Sequence, residues 1–249
     1  MELKNVIVER KNKTVYDADD KVIKVFKKGH NKGNIFNEAL NVSRVEETNI
    51  NVAKLRAVYE IDGCWALEYD KVEGVTLEKL MQENPEKIKE YMERFVDIQI
   101  NIHSQSSLFL TKMKDKYTRM IHSLKDVDGN IKYDLLTRLD GMKRHSKICH
   151  GDFNPSNVII TPNDEVYVID WSHATQGNAS GDAAMTYLEF AIKDKKLAEL
   201  YLEIFCRKSK IERRYIEQWL SIVAAAQLAK GREEEKEFLM KWIDIFDFQ

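Results

Sequence analysis

The chain has 249 residues, of which 43% are hydrophobic and 32% charged, and its formal net charge is −2. That length can supply a large core or two lobes, and the charge gives no basic field to favour nucleic acid or a membrane as a partner. The three cysteines are odd in number and widely spaced, which argues for a reducing compartment and against a zinc site. With no signal peptide and no bilayer-length apolar stretch, we expect a cytoplasmic protein.

The first 69 residues have the pattern of short antiparallel strands separated by polar turns. Five runs are predicted to be strands: Val6–Val8, Thr14–Tyr16, Lys21–Phe26, Val52–Tyr59 and Cys64–Tyr69. Between the third and the fourth of them, Asn34–Glu47 has an apolar stripe typical of a helix. We therefore predict a small antiparallel β lobe with one helix, ending near Tyr69.

The remainder of the chain is mainly helical in pattern. Between residues 77 and 145, apolar residues recur at intervals of three and four, with a break at Asp128-Gly129-Asn130. Further helices are predicted near the following segments: Gly181–Phe190, Leu197–Phe205, Ile216–Leu228 and Glu237–Phe248. The predicted class is α+β, with a first lobe over residues 1–69 and a larger, mainly helical lobe over residues 70–249.

Three polar side chains stand in a fixed order in the segment from 148 to 174, namely Asp152, Asn157 and Asp170. The segment also contains two β-rich runs joined by a Pro-Asn-Asp turn: Asn157–Thr161 and Val166–Ile169. The polar side chains are thus expected at the ends of a small hairpin. Two carboxylates and an amide oxygen form a set that suits Mg²⁺. In phosphoryl transfer, one aspartate can receive a hydroxyl proton while the other ligands hold the metal.

This segment resembles the catalytic segment of the aminoglycoside phosphotransferase and choline kinase group, relatives of the protein kinases. That group carries His-x-Asp-x-x-x-x-Asn followed by Ile-Asp-Phe or Ile-Asp-Trp, and this chain has His150, Asp152 and Asn157, then Ile-Asp-Trp at 169–171. Protein kinases have arginine where Gly151 stands, which favours the small-molecule branch. A plain turn-rich hairpin is the alternative, but it does not explain the whole ordered set.

The resemblance implies a protein-kinase-like fold and a role for each residue of the segment. Asp152 would receive the acceptor's hydroxyl proton, and Asn157 with Asp170 would bind Mg²⁺. His150 would support the catalytic loop through a hydrogen bond. Asp182 would pack beneath that loop and accept backbone N–H bonds, or simply cap its own helix.

The resemblance also implies a nucleotide site in the first lobe. Lys24 lies on an apolar strand, where an ammonium is costly unless it meets an anion, and it corresponds to the phosphate-contacting lysine of kinases. Glu38 would pair with Lys24, and Val22 would lie over the adenine. Three consecutive residues correspond to the hinge, whose backbone groups would bind the adenine edge: Glu68, Tyr69 and Asp70. Alternatives remain open for both residues. Lys24 could be an edge-strand lysine that prevents aggregation, and Glu38 could be a solvated helix residue. The neighbours that could take the role of Lys24 are Lys21, Lys27 and Lys28, and those that could take the role of Glu38 are Glu46 and Glu47.

Together these features predict a kinase that moves the γ-phosphoryl group of ATP, with GTP as an open alternative, to a small-molecule hydroxyl with the aid of Mg²⁺. No nucleic acid or membrane partner is expected, and the oligomeric state is left open. A pseudokinase or regulatory nucleotide-binding protein would keep the fold and lack the chemistry. A protein kinase would need a longer segment after Asp170 than the one that leads to Asp182.

The acceptor is expected to be cationic, such as an aminoglycoside or choline. Asp244 and Asp247 stand among aromatic residues near the C-terminus, where a carboxylate and rings can attract a cation together. The alternative places both aspartates on an exposed face. The acidic run Glu233–Glu237 is interpreted as a solvated helix face.

Overall fold

The computed structural model describes residues 5–243. Its strands are β1 (Asn5–Glu9), β2 (Lys13–Ala18), β3 (Lys21–Phe26), β4 (Leu55–Ile61), β5 (Cys64–Asp70), β6 (Val75–Thr76), β7 (Lys147–Cys149), β8 (Val158–Ile160), β9 (Val166–Val168) and β10 (Thr175–Gly177). Its helices are α1 (Lys32–Glu46), α2 (Leu77–Glu83), α3 (Ile88–Ser104), α4 (Met113–Ser123), α5 (Gly129–Gly141), α6 (Ala179–Lys193), α7 (Lys195–Ser209), α8 (Arg213–Glu217), α9 (Leu220–Leu228) and α10 (Glu233–Ile243). The sheet-forming and helical parts are largely segregated along the chain, so the predicted α+β class is confirmed.

The chain divides into two compact units. One contains the described residues up to Glu83 together with Pro155–His173, and the other contains Asn84–Asn154 and the residues from Ala174 onward. The predicted lobes, 1–69 and 70–249, were based on the strand and helix patterns of the sequence, and that boundary stays a prediction.

The first unit contains a five-stranded antiparallel sheet in the order β1-β2-β3-β5-β4, so all five predicted strands are present. The β4–β5 turn has left-handed backbone at both central residues, Asp62 (φ +50°) and Gly63 (φ +76°), as a two-residue hairpin requires. Helix α1 contacts β4 and β5. The hydrophobic core between α1 and the sheet includes Phe26, Ile35 and Leu67, all buried.

A second, three-stranded sheet of the same unit has the order β6-β8-β9. The segment after β9 is tied to α1, because the Asn41 side chain donates to the carbonyl of Trp171 at 3.1 Å. Asn51 accepts the amide of Val168 and donates to the carbonyl of Val166. These bonds fix the backbone on both sides of Asp170.

The second unit is built from helices around a short β7–β10 pair. Its core is rich in rings, with Phe95 stacked on Phe153 at 4.4 Å between centroids and edge-on to Tyr201. Because Phe153 follows Asp152 directly, the core anchors the backbone of the predicted catalytic loop. No helix within residues 5–243 is long and apolar enough to cross a membrane.

Several predicted boundaries were wrong for local reasons. Asp128 caps α5 by accepting the amide of Asn130, so the predicted break lies just before this helix. The helix predicted over Ile216–Leu228 is divided into α8 and α9, and α10 begins at Glu233, before the predicted Glu237.

Gly74 lies where the chain passes the backbone of β8 at close range. A β-carbon there would come within 2.5 Å of the Ile160 carbonyl oxygen. Gly74→Ala should therefore lower the free energy of unfolding by about 1–3 kcal/mol, the usual cost of overpacking. Urea denaturation measures the change. In Gly141→Ala, the added carbon meets no atom within 4 Å, and equal losses in the two variants would contradict this account.

Candidate active site

The predicted catalytic loop, residues 150–154, follows β7 directly and belongs to the second unit. Gly151 has φ of +76°, a left-handed conformation that a side chain would strain. Two consecutive amides, those of His150 and Gly151, both donate to the carboxylate of Asp182, at 3.2 and 2.7 Å. The loop is thus held from beneath by a side chain of α6.

Asp182 is 1% exposed, and His103 Nε2 lies 2.8 Å from its Oδ2. Burial opposes ionisation of Asp182, but the hydrogen bond and charge of His103 and the Gly151 amide outweigh it and lower the pKa. Asp182 therefore remains an acceptor for the loop amides, which are the bonds that the sequence analysis expects of it. His103, too, has the structural contact expected of a buried histidine.

One face of α6 serves the whole loop. Asp182, Thr186 and Glu189 are spaced at i, i+4 and i+7, which places them on the same side of the helix. The Thr186 hydroxyl donates to the carbonyl of Phe153 at 3.1 Å, and Glu189 lies close enough to Asp152 to interact with it electrostatically. The spacing was visible in the sequence, but its partners on the loop were not.

Glu189 is unusual because both of its carboxyl oxygens are buried, beside the carboxyl group of Asp152. Burial, and then the negative charge of Asp152, raise the pKa of Glu189 well above its ordinary value. Glu189 therefore keeps its proton to higher pH than an ordinary glutamic acid does, as expected for a buried carboxyl group beside another carboxyl group.

Three basic side chains act on these carboxyl groups: Lys230 and Arg232 interact with both of them, and Lys116 interacts with Asp152. Lys230 Nζ lies 3.5 Å from Asp152 Oδ1. Burial and the nearby charge of Lys230 lower the pKa of Lys116 to about 7. Arg232 forms a 2.9 Å ion pair with Glu235 and also interacts with Asp152 and Glu189. We call these residues, Asp152, Glu189, Lys116, Lys230 and Arg232, the Asp152 cluster.

In the first unit, Lys24 is buried and contacts two carboxylates, those of Glu38 and Asp170. Its ammonium donates to Glu38 Oε1, and Asp170 Oδ1 lies 3.2 Å away. Tyr69 donates its hydroxyl to Glu38 at 3.2 Å. The predicted pairing of Lys24 with Glu38 is thus present, and the role of Lys24 toward phosphate stays a prediction.

A second lysine reaches Asp170, which sequence reasoning missed. Lys13, the first residue of β2, donates to Asp170 Oδ2 at 3.0 Å. Burial opposes ionisation of Asp170, but Lys24 and Lys13 outweigh it and hold its pKa well below the ordinary value. Burial likewise opposes the charge of Lys24, yet Asp170 and Glu38 raise its pKa well above the ordinary value. Asp170 is therefore ionised and Lys24 protonated at neutral pH.

Asn157 and Asp170 lie at the same end of the β8–β9 hairpin, as predicted. The strands pair Val158 with Val168, and the Ile169 amide donates to the Asn157 carbonyl at 2.9 Å. Asp170 then adopts a left-handed backbone, with φ of +63°. Such a conformation is costly for a residue other than glycine and is concentrated at functional sites.

The remaining predicted nucleotide residues lie on β3 and β5. Val22 pairs with Tyr69 across the two strands. The Glu68 side chain accepts bonds from Lys21 and Tyr59, and that of Asp70 from Arg56. These side chains are engaged with their neighbours, which is compatible with a hinge that binds through its backbone.

The side chains of His103, Cys149 and Asp182 also lie close enough together to suggest a metal site, with ligand atoms within 4.8 Å of one another. Asp182 already has four hydrogen-bonding partners, namely Gln99, His103 and the amides of His150 and Gly151. Burial raises the pKa of the Cys149 thiol well above its ordinary value. A protonated thiol is a poor metal ligand, so we interpret this group as structural.

The raised pKa of Glu189 predicts how stability changes with pH. The folded protein keeps this proton where the unfolded chain has lost it, so Glu189 costs stability progressively as pH rises above about 4.5, the ordinary value. The slope for one proton is at most about 1.4 kcal/mol per pH unit. Glu189→Gln removes the proton exchange, and the variant should gain stability relative to wild type as pH rises.

The measurement is urea denaturation of both proteins at about pH 5.5 and about pH 8. The difference between the two proteins is the relevant quantity, because Lys116 titrates in both of them. A difference that stays constant between the two pH values would contradict a neutral Glu189.

Solved structures similar to this chain include two aminoglycoside phosphotransferases. A thermostable mutant of aminoglycoside phosphotransferase APH(4)-Ia has 15% identity and a TM-score of 0.68, over 98% of this chain and 91% of that one. The aminoglycoside-3'-phosphotransferase of type VIII has 14% identity and a TM-score of 0.67, over 89% of this chain and 93% of that one.

Choline kinase LicA from Streptococcus pneumoniae is similar as well, with 15% identity and a TM-score of 0.65, over 98% of this chain and 93% of that one. These likenesses confirm the predicted protein-kinase-like fold.

No curated protein sequence matches the chain. A family model, described as the phosphotransferase enzyme family, matches residues 8–219. The predicted enzyme class, a small-molecule kinase, is confirmed, and the chain belongs to the phosphotransferase enzyme family.

Proposed function

We propose that this enzyme transfers the γ-phosphoryl group of ATP to a hydroxyl of a small molecule. The observation that carries the proposal is the buried Lys24, whose ammonium contacts both Glu38 and Asp170. A buried ammonium held charged by two carboxylates is suited to bind and orient phosphate, and kinases use a strand lysine and a helix glutamate in this way.

The nucleotide is proposed to bind through residues of the first unit. Lys24 contacts the phosphates and Glu38 orients Lys24, while Val22 packs on the adenine. Backbone groups of the hinge, Glu68, Tyr69 and Asp70, bind the adenine edge. Two similar structures support a nucleotide, since APH(4)-Ia was solved with ADP and hygromycin B and LicA with AMP. GTP remains the alternative to ATP.

The residues at the end of the β8–β9 hairpin fit Mg²⁺. Asp170 is ionised, and Asn157 reaches the same hairpin end, which gives carboxylate and amide oxygens of the kind that hard cations prefer. When bound, the ion neutralises phosphate charge. Lys13 and Lys24 both pair with Asp170, at 3.0 and 3.2 Å.

Asp152 is proposed as the base that orients the acceptor hydroxyl and receives its proton. His150 and Asp182 act through the backbone of the loop, since the amides of His150 and Gly151 are fixed on Asp182. The acceptor is a small molecule, as hygromycin B is in the APH(4)-Ia complex. Asp244 and Asp247, on which the expectation of a cationic acceptor rests, lie outside the described residues.

ATP consumption with and without a library of hydroxylated metabolites tests the proposal. An enzyme should consume ATP faster with one of them and add the mass of a phosphoryl group to that compound. A pseudokinase would bind ATP without consuming it, and transfer only to proteins would indicate a protein kinase.

Asp152→Asn should reduce turnover by about 10²–10⁴-fold, the usual contribution of a positioned general base. The affinity for ATP should stay unchanged, because the proposed nucleotide contacts lie in the first unit. Steady-state kinetics and ATP titration measure the two quantities. Turnover within about threefold of wild type corresponds to less than about 1 kcal/mol of barrier and would remove Asp152 from this role.

Asp170→Ala should abolish the Mg²⁺ dependence of ATP binding, whereas Asn157→Ala should only weaken it, because a carboxylate is the stronger ligand for a hard cation. A fluorescent ATP analogue titrated at several Mg²⁺ concentrations gives the dependence. Both variants need a thermal melt as a folding control, since Asp170 also neutralises two lysines. The same Mg²⁺ dependence in Asp170→Ala and wild type would contradict the assignment.

A further inference from the structure

We infer that the acceptor carries an anionic group, a phosphate or a carboxylate, which Lys230, Lys116 and Arg232 of the Asp152 cluster bind while its hydroxyl meets Asp152. The inference rests on the proposed function, because it takes Asp152 as the base. It departs from the cationic acceptor expected from the sequence.

The geometry places the positive charge where the acceptor must come. Lys230 follows α9, its side chain is 10% exposed, and its ammonium lies 3.5 Å from Asp152. Lys116 comes from α4, whereas Lys230 and Arg232 both lie in the short connection between α9 and α10, so two separate parts of the second unit supply the cations. An anion bound by these groups would hold a neighbouring hydroxyl beside the Asp152 carboxylate.

The charge balance of the cluster favours an anion. The pKa of Glu189 is raised well above its ordinary value, and Glu235 is engaged by Arg232 at 2.9 Å and by Gln227 at 2.7 Å. Asp152 is then the carboxylate of the cluster that lies beside Lys230 and interacts with Lys116. The lowered pKa of Lys116, to which burial contributes first and Lys230 second, reflects this crowding of positive charge. Asp182 and Arg119 also act on Lys116, and Asp182 is already bonded to His103.

Of the described acidic residues near the C-terminus, Glu235 offsets Arg232 through their 2.9 Å ion pair. Glu235 is buried, so the solvated helix face expected from the sequence is wrong for this residue. Glu237 is paired instead with Lys241, at 2.9 Å on an exposed face of α10. A cationic acceptor would therefore approach Asp152 against Lys230, and against Lys116 in its charged form, which a pKa of about 7 leaves partly populated at neutral pH. An anionic acceptor would instead gain charge-assisted hydrogen bonds from them.

The experiment separates a metabolite library by ion exchange into anionic, neutral and cationic fractions, and incubates each with enzyme, ATP and Mg²⁺. Phosphorylated product should come from the anionic fraction, detected by mass shift. A preferred acceptor in the neutral or cationic fraction would overturn the inference and leave the proposed function intact. Absence of product from every fraction would overturn the proposed function, and the anion-binding measurement then decides the inference alone.

Variants locate the anion site. Lys230→Gln should raise the KM of the anionic acceptor by about 10- to 100-fold, the range for a hydrogen bond to a charged group, with the KM of ATP unchanged. Lys241→Gln makes the same charge change at a 68% exposed lysine and should alter neither. A rise in the KM of ATP alone would mean that Lys230 binds the nucleotide, which would overturn the inference.

Inorganic phosphate is the probe for binding without turnover. It should raise the melting temperature of wild type and of Lys24→Gln, because the Asp152 cluster is intact in both, and should fail to do so in Lys230→Gln. Stabilisation that survives in Lys230→Gln and disappears in Lys24→Gln would place phosphate in the first unit and contradict the anion site. Circular dichroism of each variant without phosphate controls for folding.

Discussion

Burial of Lys24 between two carboxylates is the constraint on which the first unit depends. An ammonium removed from water is costly unless anions replace the lost hydration, and Glu38 and Asp170 do so from α1 and from the segment after β9. Removing one partner of a buried ion pair typically costs about 3–5 kcal/mol. The same ion group therefore joins the sheet, helix α1 and the segment after β9, and it keeps charged the lysine that we propose to bind phosphate.

In the second unit, three polar side chains of α6 interact with one loop, residues 150–154. Asp182 holds the amides, Thr186 holds a carbonyl, and Glu189 stays neutral beside Asp152. An ionised Glu189 would repel Asp152, so its retained proton allows Asp152 to remain the charged partner of Lys230. Hydrogen bonds between its backbone and α6 hold the loop in place. Lys230 lies beside Asp152, the carboxylate that we propose as the base.

Much of this could be predicted from the sequence, because the signals are local. The alternation in residues 21–26 placed Lys24 on an apolar strand, and the spacing of Asp152, Asn157 and Asp170 carried the family resemblance. Lys13, Glu189 and Lys230 were missed, since each acquires its role by meeting a residue far along the chain. In the sequence, Lys13 belongs to a polar turn segment, and Lys230 stands just before the acidic run that begins at Glu233. Neither position indicates the partner that the side chain meets in the fold. Charge counted along a sequence does not show which side chains face one another.

The central claim is that the metal–nucleotide complex binds at Lys24 and Asp170. Paramagnetic Mn²⁺ with ATP tests it directly, because the ion broadens the NMR signals of nearby nuclei in the assigned protein without any need for an acceptor. The account predicts the strongest broadening at residues 156–158 and 168–170, with loss of the effect at those residues in Asp170→Ala. Broadening centred on His103, Cys149 and Asp182 would contradict the claim. Broadening at residues 156–158 and 168–170 that persists in Asp170→Ala would contradict it as well.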